Sequence, residues 1–321
     1  MQANCLRQQR CFCAVKRVWS NKGAQSSDLL SDTVPADGCS CITMTDRAAY
    51  PSDLSDARWA LIAPRLTAWR QARTDAGVGG RTATHDLREI FNAILYINRT
   101  GAPWRYLPHD LPPWQTVYWY FTTWTNDGIF TDLNYQLNGL VRTTSGRSAT
   151  PSGSIMDTQS VKTSTNVPTA TQGIDAGKRI VGRKRGIVTD TLGLLLAVIV
   201  TAASVSDNTV GVDLLNQATA AYPTVTKAWV DAGFKKTVIE HGATLGVDVE
   251  AVTKDPQVKG FCVIKRRWVV ERTIGWLMQH RRLARDYETL PATSATMIRI
   301  AMIDNLTKRA TGETTPTWRD T

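Results

Sequence analysis

The sequence predicts an α/β fold in which an all-helical region precedes a mixed sheet flanked by helices. Three observations carry this expectation. Apolar residues recur at helical spacing across 52–127, β-branched and apolar runs occupy 186–200 and 225–230, and helical spacing returns after residue 266.

Residues 1–43 show neither period and are rich in Ser, Gln, Asp and Cys, so they are expected to be disordered or an upstream extension, with Met44 as an alternative start. A helical domain is expected over 44–142. Ser52 or Ser55 can cap a first helix running to about residue 66, because a serine hydroxyl accepts one of the free amides of a helix start. Beyond Gly77, Gly79 and Gly80, a second helix over 85–99 places Leu87, Ile90, Ile94, Leu95 and Ile97 mostly on one face, and Gly101 and Pro103 end it. Pro112 and Pro113 open a third helix over 114–127, where the missing proline amide costs nothing. With Arg88, Arg99 and Arg105 near the turns, the region is helix-turn-helix-like and is expected to contact DNA. Six of the eleven tryptophans lie from Trp59 to Trp124, and Trp114, Trp119 and Trp124 read as packing residues before base-stacking ones.

A linker rich in Thr, Ser, Gly and Pro is expected at 143–153, and a second domain over 154–310 with a tail at 311–321. Residues 154–156 read as a strand leading into Asp157. The 186–200 run reads as two strands joined near Asp190 to Gly193. A helix over 206–221 capped by Ser206 or Asp207, a strand over 225–230 ending at Asp231, and a short helix and strand over 237–252 follow. A basic loop then leads to two helices separated by Pro291.

Lys and Arg outnumber Asp and Glu by 38 to 28 in the 321 residues, a net charge of +10 that suits a polyanionic partner. From Lys259 to Arg285 there are eight basic residues and a single acid, Glu271; a second cluster is Lys178, Arg179, Arg183, Lys184 and Arg185. Such clusters neutralise phosphates, which gives affinity that falls steeply with salt. Five of the six cysteines lie within residues 1–41, and their C-x-C spacings without a nearby histidine match structural zinc poorly. The most apolar run, 192–200, is too short to span a bilayer, so a cytoplasmic location is expected, on the nucleoid when DNA is bound.

Asp157 and Asp231 each follow an apolar strand, where a carboxylate gains nothing from packing. A helix expected over 266–285 gives Val269, Val270, Trp276, Leu277 and Leu283 one stripe, while Arg267, Met278, Arg282 and Arg285 fall within about 40° of Glu271. Each acid alone is an ordinary surface carboxylate. Together they suit a two-metal phosphodiester chemistry, in which carboxylates hold Mg²⁺ (or Mn²⁺) and neighbouring arginines hold phosphates. His85, His109, His241 and His280 are the only histidines, which leaves histidine-centred catalysis poorly supported.

Across 50–308 the chain resembles DDE transposases of the insertion-sequence four/five group, which have an RNase H-like core. The resemblance is carried by YPSDLSDARWALI, DLREIFNAILY, TGAPWRYLPHDLPPWQTVYWYF, DTQSVKT, DAGK with GRKRG, KGFCVIKRRWVVERTIGWL and RRLARDYE. It implies that Asp157, Asp231 and Glu271 are the catalytic, metal-holding triad, and that Mg²⁺ serves cleavage at terminal inverted repeats and joining to a target. The expected DNA-binding residues are Arg183, Lys184, Arg185, Lys265, Arg266, Arg267, Arg272, Arg281, Arg282 and Arg285. In the signature of the wider group, Arg267 and Glu271 match, Ile264 takes the Tyr position and Met278 the Lys position; the Lys role would fall to Arg281, Arg282 or Arg285. A homodimer or larger assembly on DNA is expected. Two rivals remain: a catalytically silent DNA-binding remnant, and an RNase H-like nuclease without strand joining.

Overall fold

Ser55 starts the first helix, its hydroxyl accepting from the Arg58 amide, in a computed structural model that describes residues 47–78, 85–231, 233–234, 236–252 and 266–314. The expectations for 1–43, for Lys265 and for most of the 311–321 tail lie outside those residues. Helix α1 (Asp56–Asp75) runs beyond the expected end because Trp69 stays buried, its ring 5.9 Å from Tyr120 and 5.8 Å from Trp124. Asp86 caps α2 (Leu87–Thr100), and Gly101, left-handed at φ 76°, closes it. A single 3-10 turn (Trp104–Tyr106) precedes α3 (Trp114–Asn126). Left-handed Gly128 then admits α4 (Ile129–Thr144), a helix that the sequence reading did not separate although Ile129, Phe130, Leu133, Leu137 and Val141 carry its period.

The sheet is formed by β1 (Gly153–Lys162), β2 (Gly173–Asp175), β3 (Ile180–Asp190), β4 (Leu195–Ala202), β5 (Lys227–Asp231) and β6 (Asp248–Val252). β1 lies at its centre, antiparallel to β3 and parallel to β5; β3 carries β2 and β4 on its other edge, and β6 runs parallel to β5. The long strands therefore follow the order β4-β3-β1-β5-β6, the mixed sheet of an RNase H-like core. Asp157 stands within β1 and not at a strand end as expected. The strand continues because β3 pairs with it from Ser154 through Lys162, satisfying the backbone whatever the side chains are.

Strand alternation divides the apolar residues between two faces. Met156, Val188, Ala228 and Val230 meet α5 (Asp207–Ala221, capped by Ser206) and α6 (Lys236–Thr244). Ile155, Ile187, Val198 and Trp229 join the other core with residues from α1 to α4, α7 (Arg267–Met278) and α8 (Pro291–Thr311). The region of α1 to α4 thus shares a core with one face of the sheet, and Arg47–Thr321 clusters as one unit. The 143–153 boundary falls on the loop from α4 to β1.

The helix expected over 266–285 ends at Met278. Buried His280, Arg282 and Leu283 follow in an irregular segment with a 3-10 turn, so tertiary burial there replaces continued helix. As a result Arg282 and Arg285 do not share the Glu271 face. Among the described residues no helix is long and apolar enough to cross a membrane.

Candidate active site

Two carboxylates are brought side by side by register. Met156 of β1 pairs with Val230 of the parallel β5, so the next residues, Asp157 and Asp231, are neighbours. By alternation each lies on the face of Ile155 and Trp229, whose core includes Val269, Val270 and Leu277 of α7. The helix bearing Glu271 therefore packs on the same face as the two aspartates.

Arg267 links two of the three. Its Nη2 lies 3.2 Å from Asp231 Oδ2 and 3.6 Å from Glu271 Oε1. The second contact spans one helical turn, the spacing at which i and i+4 side chains meet. Burial raises the Asp157 carboxyl above its ordinary range; the Thr158 amide, donating to Oδ1 at 2.8 Å, and the Arg267 charge oppose this, while the Asp231 charge adds to it. Lys178, on the turn before β3, also acts on Asp157 electrostatically, and its Nζ donates to Thr158 O at 3.3 Å. The sequence placed Lys178 in a basic cluster without assigning it to the site; the turn between β2 and β3 brings it there, held by the Ser160–Asp175 hydrogen bond and by the bond from Lys178 to Thr158 O.

The donor chemistry suits a hard divalent cation, since among the described residues the side-chain ligands offered are carboxylate oxygens. Asp157 and Asp231 fit as a pair whose mutual repulsion a cation would relieve. Glu271 is held through Arg267, and among the described residues no group of three His, Cys, Asp or Glu side chains is placed to hold one ion. In this arrangement the Arg267 guanidinium supplies the positive charge beside Asp231 and Glu271.

The expected DNA-binding residues divide sharply. Arg183, Lys184 and Arg185 are buried, which corrects the expectation that they face DNA. Alternation sends Arg183 and Arg185 to one face and Lys184 to the other. Arg183 donates to Asp286 Oδ1 at 3.2 Å and to the carbonyls of Thr171, Glu288 and Thr289, Arg185 donates to the carbonyls of Leu283 and Arg285, and Lys184 pairs with Asp207 at 2.8 Å. Arg282 is likewise buried, bound to Glu288 at 2.8 Å and to Ala102 O, so it is excluded from a phosphate role by the same reasoning. Most of their donors are engaged within the fold, although buried Arg185 Nε has no partner among the described residues.

Arg266, Arg281 and Arg285 are exposed. Arg266 opens α7 at a left-handed φ of 74° with its guanidinium 3.8 Å from the Trp229 ring centroid. Arg272 is half-buried between Trp268 and Trp276, at 4.4 and 4.7 Å, and donates to Leu192 O. Asp190, at the end of β3 where the turn to β4 begins, is buried: its Oδ1 accepts from the Leu192 and Leu194 amides, and Arg142 pairs with Oδ2.

Two family models match the chain. One, described as a transposase of the IS4/5 family, covers residues 54–134, and the other, a transposase DDE domain, covers 148–306. They meet α1 to α4 and the sheet with its later helices, respectively. Among curated proteins and among solved structures there is no match.

Proposed function

Because the chain belongs to the DDE transposases of the IS4/5 group, we propose that it cleaves DNA at the terminal inverted repeats of its own element and transfers the freed strands to a target. The observation that carries this reading is the link of Asp231 and Glu271 through Arg267, beside Asp157 on the neighbouring strand. Asp157, Asp231 and Glu271 would hold the divalent metal. When bound, two such ions supply positive charge to the attacking and leaving oxygens of a phosphodiester displacement.

The chain's own residues do the positioning. β1 and β5 fix the two aspartates by backbone pairing, and α7 carries Glu271 over the same face. Arg267 neutralises Asp231 and Glu271 and, were a metal to take over those acids, would be free to hold a phosphate. Exposed Arg266, Arg281 and Arg285 supply further phosphate contacts, and Lys265 is assigned the same role from the sequence. The displacement is in-line, with water and then the freed 3′-hydroxyl as nucleophile, and with no covalent enzyme intermediate. Two element ends must be held together, which calls for a dimer or larger assembly on DNA.

The test is cleavage of labelled linear DNA bearing the element's own ends, with Mg²⁺ or EDTA, by wild type and by Asp157→Asn, Asp231→Asn and Glu271→Gln. Metal-dependent nicking and joining, lost in each variant while DNA binding persists, is the expected result. Binding without cleavage by wild type would overturn it in favour of a silent remnant; cleavage without joined products would leave a nuclease.

A further inference from the structure

Away from the acids, the segment between α2 and α3 and the segment after α7 enclose a cleft of about 640 Å³. Its walls include Trp104, Arg105, Tyr106, Trp114, Tyr118 and Tyr287. Such a density of rings on an accessible wall is unusual, because aromatic side chains normally spend their area in a core. Here Tyr106 is 77% exposed and Tyr118 38% exposed. The rings form a connected set: Trp104 meets Tyr118 edge-on at 5.2 Å and Phe121 at 5.1 Å, which fixes the deeper wall.

Two guanidinium groups accompany the rings. Arg282 lies 5.9 Å from the Trp104 centroid and 5.5 Å from that of Tyr287, anchored by Glu288, whose carboxylate also lines the cleft. Arg105 lies 5.4 Å over Trp114, is exposed, and has no acidic partner among the described residues. Trp104 Nε1 is buried and has no hydrogen-bond acceptor among the described residues.

We propose that this cleft receives one unpaired nucleotide of a DNA strand. Aromatic faces take a nucleobase by stacking whatever its sequence, and Arg105 meets the adjoining phosphate. A paired base within a duplex hides its faces and cannot enter, so the ligand is a nucleotide in a single-stranded or opened segment. The inference rests on the proposed action on DNA, and it adds a strand-handling site separate from the carboxylates.

The test titrates the full chain with a short oligothymidylate, an abasic oligomer of equal length and a duplex, following tryptophan fluorescence and anisotropy. Wild type should bind the base-bearing strand more tightly than the abasic one. Tyr106→Ala and Tyr118→Ala, both at exposed positions, should weaken the base-bearing strand roughly 5- to 150-fold, the range of one lost stack, and leave abasic and duplex binding unchanged. Equal binding of the base-bearing and abasic strands by wild type would overturn the cleft assignment, as would equal weakening of all three DNAs in the variants. Loss of duplex binding by wild type would count against the transposition reading instead, and base-dependent binding of the single strand would still identify the cleft.

Discussion

Arg267 sets the chemistry of the site at the scale of one residue, since a single guanidinium serves Asp231 at 3.2 Å and Glu271 at 3.6 Å. On the proposed reading it would compete with a divalent ion for the same carboxylates. Arg267→Gln should therefore show a larger rise in melting temperature on adding Mg²⁺ than wild type does, because binding to the native state stabilises it by mass action. An equal or smaller rise, read by calorimetry, would mean that Arg267 does not occupy the metal's place. His280 supplies a second prediction, away from the acids. Burial pushes its imidazole down to about 4; Asp304, at 3.6 Å, favours the charged form but is outweighed, with Arg99 and Lys308 adding to the depression. The unfolded chain binds the proton near 6.5 and the folded chain does not, so the stability is fully present above about pH 6.5 and is lost as pH falls toward 4. The difference between those two values is worth on the order of 3 kcal/mol. His280→Gln should flatten urea-derived stability across that window; an unchanged slope would show that other groups carry it.

Single elements decide which basic residues are structural and which can meet DNA. β3 presents Arg183 and Arg185 toward the irregular segment after α7, where carbonyls and Asp286 take their donors. Arg183→Ala removes one partner of a fully buried pair and should destabilise the fold by roughly 3 to 5 kcal/mol, seen as a lower denaturation midpoint. Arg285→Ala, in contrast, should leave that midpoint unchanged and reduce the slope of log affinity against log salt by about 0.9 if it meets one phosphate. An unshifted midpoint for Arg183→Ala would return β3 to the candidate DNA surface. The sequence showed α2, α3, α5 and the β3–β4 hairpin through their caps, prolines and alternation, and it pointed to Asp157, Asp231 and Glu271 as candidates. It could not show that GRKRG is buried, because a basic run looks the same whether water or carbonyl oxygens receive its donors. Nor could it stop α7 at Met278, since no glycine or proline marks the end; the burial of His280 and Leu283 decides it. Lys178 was equally hidden, as only the tertiary path of the turn between β2 and β3 brings it near Asp157.

At the scale of the whole molecule, α8 ties the helical region to the sheet. Ser294 through Lys308 is almost continuously buried, with Met297, Ile298, Ile300, Ala301, Met302, Ile303 and Leu306 in the core that also holds Ile90, Phe91, Leu133 and Leu137. Polar contacts fix the same packing: Arg58 of α1 donates to Asp304 of α8 at 2.5 Å, and Asn98 of α2 donates to Met297 O at 3.0 Å. Asn134 and Asn138 of α4 both donate to Leu195 O, at 2.8 and 2.7 Å, joining that helix to β4. A cut in the loop between α4 and β1 would expose both halves of one apolar core, and neither half retains enough partners for its buried Arg, Asp and Asn side chains. The chain should therefore unfold in one urea transition reported alike by tryptophan fluorescence, which is dominated by α1 to α3, and by far-ultraviolet circular dichroism, which senses every element. Fragments 47–147 and 148–314, expressed separately, should fail to show cooperative unfolding, and mixing them should restore it. Two separated transitions, or a cooperatively folded 47–147 fragment, would establish the helical region as an independent domain and remove the shared core from the account of stability.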